Sequence, residues 1–148
     1  MTPRLSLCLA LLALPSATSA QPPAPEEARK AIRAVLDAQV AAWNKGDLEG
    51  FMAGYWKSPR LTFYTGKTRL RGWDATLERY RKRYQGEGRE MGKLTFNEID
   101  IELVGDDHAL VRGRFRVMLK KGTPEGLFTL IFRKLPEGWR IVHDHTSS

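Results

Sequence analysis

His143 and His145 stand two residues apart in Gly138-Trp139-Arg140-Ile141-Val142-His143-Asp144-His145-Thr146-Ser147-Ser148, the densest run of chemically capable side chains in the sequence. An imidazole titrates near neutrality, so either ring can act as a general acid or base at the wall of a half-apolar pocket. The run alternates like a strand. Trp139, Ile141, His143 and His145 fall on one face at period two, and Arg140, Val142 and Asp144 fall on the other. Trp139 and Ile141 anchor the first face in a core, so the imidazoles are expected where that face leaves the core for a polar rim or cavity. The structural alternative is that both rings hydrogen-bond neighbouring strands and tie down the chain end. Two histidines at i, i+2 can chelate a metal only with a third ligand, and the remaining histidine, His108, sits in a hairpin turn. No metal site and no cofactor are therefore expected.

A second set of residues suits a ligand rather than a reaction. Trp43, Tyr55, Trp56, Phe63, Tyr64, Tyr80 and Phe115 combine broad apolar surface with several polar tips, which fits a pocket for an amphipathic small molecule. The strand positions assigned to the core (Ile99, Ile101, Val111, Phe115 and Val117) carry no carboxylate. The sequence has no nucleophile elbow, no phosphate-binding glycine loop and no glycosidase-type carboxylate pair.

These residues need elements to hold them. An apolar stripe through Ala28, Ile32, Val35, Leu36, Gln39 and Trp43 predicts a helix over 26–44, with Gly46 as its left-handed cap. Asp47 caps a short helix over 48–55. Short strands follow at 61–65 and 68–71, then a basic helix over 73–84. Residues 94–104 and 109–119 read as a long hairpin. A register summing to 214 sets Glu102, Asp100 and Glu98 opposite Arg112, Arg114 and Arg116, and gathers Ile99, Ile101, Leu103, Val111, Phe115 and Val117 on the core face. Residues 127–133 are apolar on both faces and predict a central strand covered on both sides. Helices followed by strands mean an α+β fold.

The N-terminus reads as a secretory signal. Arg4 precedes the apolar run from Leu5 to Leu14, which is too short to span a bilayer, and small residues lead to cleavage after Ala20. Residues 21–25 form a Pro-containing lead-in, and 26–148 form one domain of periplasmic or secreted location. The single cysteine, Cys8, lies within the signal, so the mature chain has neither disulfide nor thiol nucleophile. The chain carries 24 Lys and Arg against 17 Asp and Glu, a net +7 that reads as a solvated basic surface or, alternatively, as an attraction to anionic ligands, polymers or lipid head groups. No interleaved basic–aromatic reader motif points to nucleic acid, and no second apolar run points to a membrane span.

The closure of the first helix by Trp43-Asn44-Lys45-Gly46-Asp47, the Gly72-Trp73 helix start, the Gly105-Asp106-Asp107-His108-Ala109 hairpin and the final run Gly138 to Ser147 together resemble the nuclear transport factor 2-like superfamily, in its SnoaL-like branch. The ending is also similar to the association domain of calcium/calmodulin-dependent kinase II. The resemblance implies a cone of three N-terminal helices on a strongly curved, mainly antiparallel sheet, with an apolar pocket and a homodimer formed through the sheet. Members include isomerases, dehydratases, cyclases and pure binding or scaffold domains. The isomerase-type members use an interior acid, which the assigned core-face positions lack. Three readings follow: an exported small-molecule-binding domain, a SnoaL-like enzyme using His143 or His145, and a homo-oligomeric interaction domain.

Overall fold

A computed structural model describes residues 24–147. The signal reading of residues 1–20 and most of the lead-in lie outside the described residues. Helix α1 (Pro25–Asn44) begins with Pro25 at its first position and Glu26 and Glu27 in its first turn, where the helix dipole favours acids. Its buried stripe is Ala28, Ile32, Leu36, Gln39 and Trp43. The motif that ends it has a physical reason at each residue. Trp43 donates its indole N–H to the Met91 carbonyl at 2.9 Å. The Asn44 side chain donates to the Leu94 carbonyl at 3.1 Å and accepts from the Leu94 amide at 2.8 Å, pairing with backbone as a strand would. Gly46 turns the chain at φ 78°, and Asp47 caps α2 (Leu48–Met52) by accepting from the Gly50 amide at 2.8 Å.

Strands β1 (Thr62–Thr65) and β2 (Thr68–Arg71) and helix α3 (Trp73–Tyr84) come next. Then follow the four long strands β3 (Lys93–Val104), β4 (His108–Met118), β5 (Glu125–Leu135) and β6 (Gly138–Ser147). They form one sheet in the order β2-β1-β6-β5-β4-β3. It is mainly antiparallel; the exception is β1, which runs parallel to β6 and sets Phe63 beside Asp144. The helices pack on the inner face around a core that includes Ile32, Leu36, Met52, Leu61, Val111, Phe132 and Ile141.

Two β-bulges decide which side chains face that core. In β3 the pairing steps from Asn97↔Arg114 to Asp100↔Arg112, with Glu98 at φ 54°. The extra residue switches the alternation, so Leu94 and Phe96 before it and Ile99, Ile101 and Leu103 after it all pack inward. In β6 the pairing steps from Phe132↔Ile141 to Ile131↔His143, which leaves Val142 as the extra residue. Trp139 and Ile141 are buried before the bulge, and Asp144 is buried after it.

The hairpin differs from the predicted register. It closes on Val104↔His108, and Asp100 lies opposite Arg112. Arg112 therefore bridges Asp100 at 2.8 Å and Glu102 at 2.9 Å, and Arg114 meets Glu98 at 3.2 Å. Arg116 turns to Glu125 on β5 instead. The tighter turn and the bulge set this register, while the charged residues keep the predicted outer face. Strand β5 is central, but it is covered on one side only. Phe128, Leu130 and Phe132 are buried, whereas Leu127 and Ile131 are exposed on the outer face.

Candidate functional site

The inner face and the helices enclose a cavity of about 380 Å³. Its walls are aromatic and aliphatic. Trp43 comes from α1, Phe51 from α2, Phe63 from β1, Tyr80 and Tyr84 from α3, and Phe96, Phe115 and Phe128 from the long strands. The rings hold one another edge to face: Phe51 and Tyr80 lie 5.3 Å apart, and Trp43 and Tyr84 4.7 Å. Gln39 also lines the cavity, and its buried amide is fixed by donating to the Phe51 carbonyl at 3.1 Å.

Among the described residues, one side-chain carboxylate lines this space. Asp144 is 3% exposed, and each of its oxygens accepts one hydrogen bond, from the Tyr55 hydroxyl at 2.7 Å and from the Thr146 hydroxyl at 2.6 Å. Burial raises its pKa to about 6, because the charged form loses hydration. The bonds from Thr146 and Tyr55 and the charge of His145 work in the opposite direction and keep it from rising further. Burial, with Asp144 nearby, also pushes the Tyr55 and Tyr80 phenols well above their ordinary range. Both phenols therefore stay neutral hydrogen-bond donors. A buried acid that titrates close to neutrality, held by the Tyr55 and Thr146 hydroxyls, can take and return a proton in water-poor surroundings.

The predicted faces of β6 are inverted past Val142. Asp144 and Thr146 line the cavity; His143 and His145 do not. His143 is half-buried on the outer face, where its Nδ1 shares a 2.6 Å hydrogen bond with the Thr62 hydroxyl. Its pKa is lowered by burial and by the neighbouring His145. Tyr64 packs edge-on against the His143 ring at 5.0 Å, so it belongs to this outer cluster. Trp56 also stands apart from the cavity, beneath the Arg60 guanidinium at 4.9 Å. Trp43, Tyr55, Phe63, Tyr80 and Phe115, by contrast, do converge on the cavity.

Asp144, Thr146 and Gln39 escape sequence reasoning. Strict alternation assigns Asp144 to the wrong face, and only the bulge at Val142 moves it inside. The outer end of the cavity is likewise hidden: Lys67 from the β1–β2 turn and Arg79 and Arg83 from α3 line it, although the sequence shows them only as part of a basic surface. Among the described residues no three potential metal ligands converge, and no helix is long and apolar enough to cross a membrane.

The profile of the SnoaL-like domain family matches residues 32–148. Among solved structures, a nuclear transport factor 2-like protein of unknown function from Shewanella oneidensis superimposes with a TM-score of 0.76 at 36% identity, covering 81% of this chain and 98% of its own. A domain of unknown function with a cystatin-like fold from Nostoc punctiforme gives 0.69 at 26%, covering 84% and 78%. A nuclear transport factor 2-like superfamily protein from Salmonella enterica gives 0.70 at 22%, covering 84% and 93%, a likeness of fold alone. No curated protein matches the chain. The chain belongs to the SnoaL-like domain family, with the nuclear transport factor 2-like fold.

Proposed function

We propose that this SnoaL-like domain is an exported protein that binds a small, partly apolar molecule in the cavity above Asp144. The observation that carries this reading is the cavity itself: about 380 Å³ of aromatic-walled space, the size of a ligand site, with one buried, hydrogen-bonded carboxylate in its lining. The apolar walls take the body of the ligand, and the Tyr80 hydroxyl and the Asp144 carboxyl offer hydrogen-bond partners to any polar atom at its inner end. Residues 1–20 support export, and N-terminal sequencing of the secreted protein checks it, with Gln21 expected as the first residue. A thermal-shift screen of aromatic and aliphatic metabolites tests the binding. A ligand at about 100 times its Kd adds about 2.7 kcal/mol of stability. Val117→Phe, which fills the cavity from β4, is expected to abolish the shift; a shift unchanged in that variant would place binding elsewhere.

A second reading, acid–base catalysis, rests on the protonation of Asp144. A carboxyl held at about 6 by burial is poised to remove a proton from a carbon beside a carbonyl, with the neutral Tyr80 phenol donating to the enolate oxygen that forms. Here Asp144 takes the place that the sequence suggests for His143 or His145. The test is exchange of the α-hydrogens of 2-tetralone in deuterated water. Because the base must be ionised, acceleration is expected to grow as pH rises through about 6 and to vanish in Asp144→Asn. Equal acceleration by that variant would remove Asp144 from the chemistry.

The outer face supports a homodimer. Met118, Leu127 and Ile131 expose apolar surface beside the Arg112–Asp100 and Arg114–Glu98 pairs, and a second copy of the same face would cover it.

A further inference from the structure

We infer that the ligand of this cavity is an organic anion, with its apolar body against the aromatic walls and its acidic group at the outer end between Lys67, Arg79 and Arg83. This rests on the reading of the cavity as a ligand site and adds the ligand's charge and orientation to it. Among the described residues, these three cations and Asp144 are the only charged ones that line the space. They come from two different elements, the β1–β2 turn and α3, and the fold brings them to one place.

Their neighbours on the same helix behave differently. Arg81 is paired with Glu49 at 2.6 Å and Lys82 with Glu78 at 3.6 Å. Among the described residues, Lys67, Arg79 and Arg83 have no carboxylate within ion-pair distance. Arg83 instead lies over the Tyr84 ring at 5.5 Å, and its Nε donates to the Tyr84 hydroxyl at 3.2 Å, which holds the guanidinium beside a wall of the cavity. Arg79 stands one helical turn before Arg83 on the same face of α3. Three like charges brought together without counter-charge repel one another, and an acidic group bound among them removes that repulsion. A guanidinium offers a carboxylate paired donors in a fixed plane. The carboxyl of Asp144 is buried within the lining, so an acid that entered with its charge foremost would meet a like charge. The apolar body therefore leads.

The experiment compares three probes of one shape, naphthalene-2-carboxylate, naphthalene-2-methanol and naphthalene-2-methylammonium, by calorimetric titration of the purified protein at pH 7.5. The carboxylate is expected to bind at least about tenfold more tightly than the alcohol, and the ammonium most weakly. The preference should shrink as salt rises from about 0.05 M to about 0.5 M, since the cations face water. The double substitution Arg79→Gln with Arg83→Gln should bring the carboxylate-to-alcohol ratio close to one. Arg81→Gln, which removes a charge from the same helix away from the lining, should keep it. Binding of all three probes without preference would overturn the inference and leave the cavity reading standing. A preference that survives the double substitution would overturn the assignment to these residues. Binding of none would overturn both.

Discussion

Asp144 carries an uncommon burden for a strand residue, a carboxyl buried to 3% exposure among aromatic walls. Its pKa is about 6 when folded against an ordinary 3.8, so the folded chain holds more protons than the unfolded chain between those values. Stability therefore falls as pH rises from about 4 through about 6, by up to about 3 kcal/mol in total. Asp144→Asn keeps an acceptor oxygen and never ionises. Urea denaturation is expected to show the slope gone and the variant more stable than the parent at pH 8 by about 1–3 kcal/mol; an unchanged slope would contradict the account. The histidines behave otherwise. His143→Ala loses the bond with Thr62 and about 1 kcal/mol of stability, while the thermal shift given by a cavity ligand persists. Loss of that shift at equal fold stability would return the histidines to the site. The sequence made both imidazoles visible as chemistry and Asp144 as an outward side chain. The residue types were legible, but their direction depended on one extra residue in β6.

At the scale of the element, the legible features were those with local causes. Pro25, Gly46 and Asp47 mark helix ends through backbone geometry alone, and α3 runs over the predicted residues. The two bulges follow from tertiary pairing, and they differ in how far the sequence betrays them. In β3 the apolar residues change parity, from Leu94 and Phe96 to Ile99 and Ile101, so the switch is written in the pattern. In β6 the residues past Val142 are polar on both faces, and no hydrophobic pattern reports the switch. The parallel pairing of β1 with β6 is a long-range choice of the same kind. The Asn44 side chain carries one such choice by pairing with both backbone groups of Leu94. Asn44→Ala is expected to cost about 1–2 kcal/mol and to weaken hydrogen-exchange protection at the start of β3. Protection unchanged there would mean that α1 holds β3 by apolar packing alone.

The whole molecule joins an inner face that lines an aromatic cavity to an outer face whose strands expose large apolar side chains. Met118 is 57% and Leu127 52% exposed, on a sheet otherwise laced with ion pairs. Homodimerisation through this face is expected in light scattering at micromolar concentration, and Leu127→Lys should shift the protein to monomer while ligand binding in the cavity continues. A monomeric parent protein would contradict the dimer and leave the cavity untouched. The α+β class and the family were within reach of the sequence because helix stripes, caps and turn motifs are local. The cavity was not, since residues from all nine elements line it and two bulges decide which of them face it. The measurement that tests it most directly is a pH titration of the aspartate side-chain carboxyl carbons by 13C NMR, with and without naphthalene-2-carboxylate. The Asp144 signal is expected to titrate near 6 and to move when the probe binds. An Asp144 that titrates near 4 and ignores the probe would contradict it.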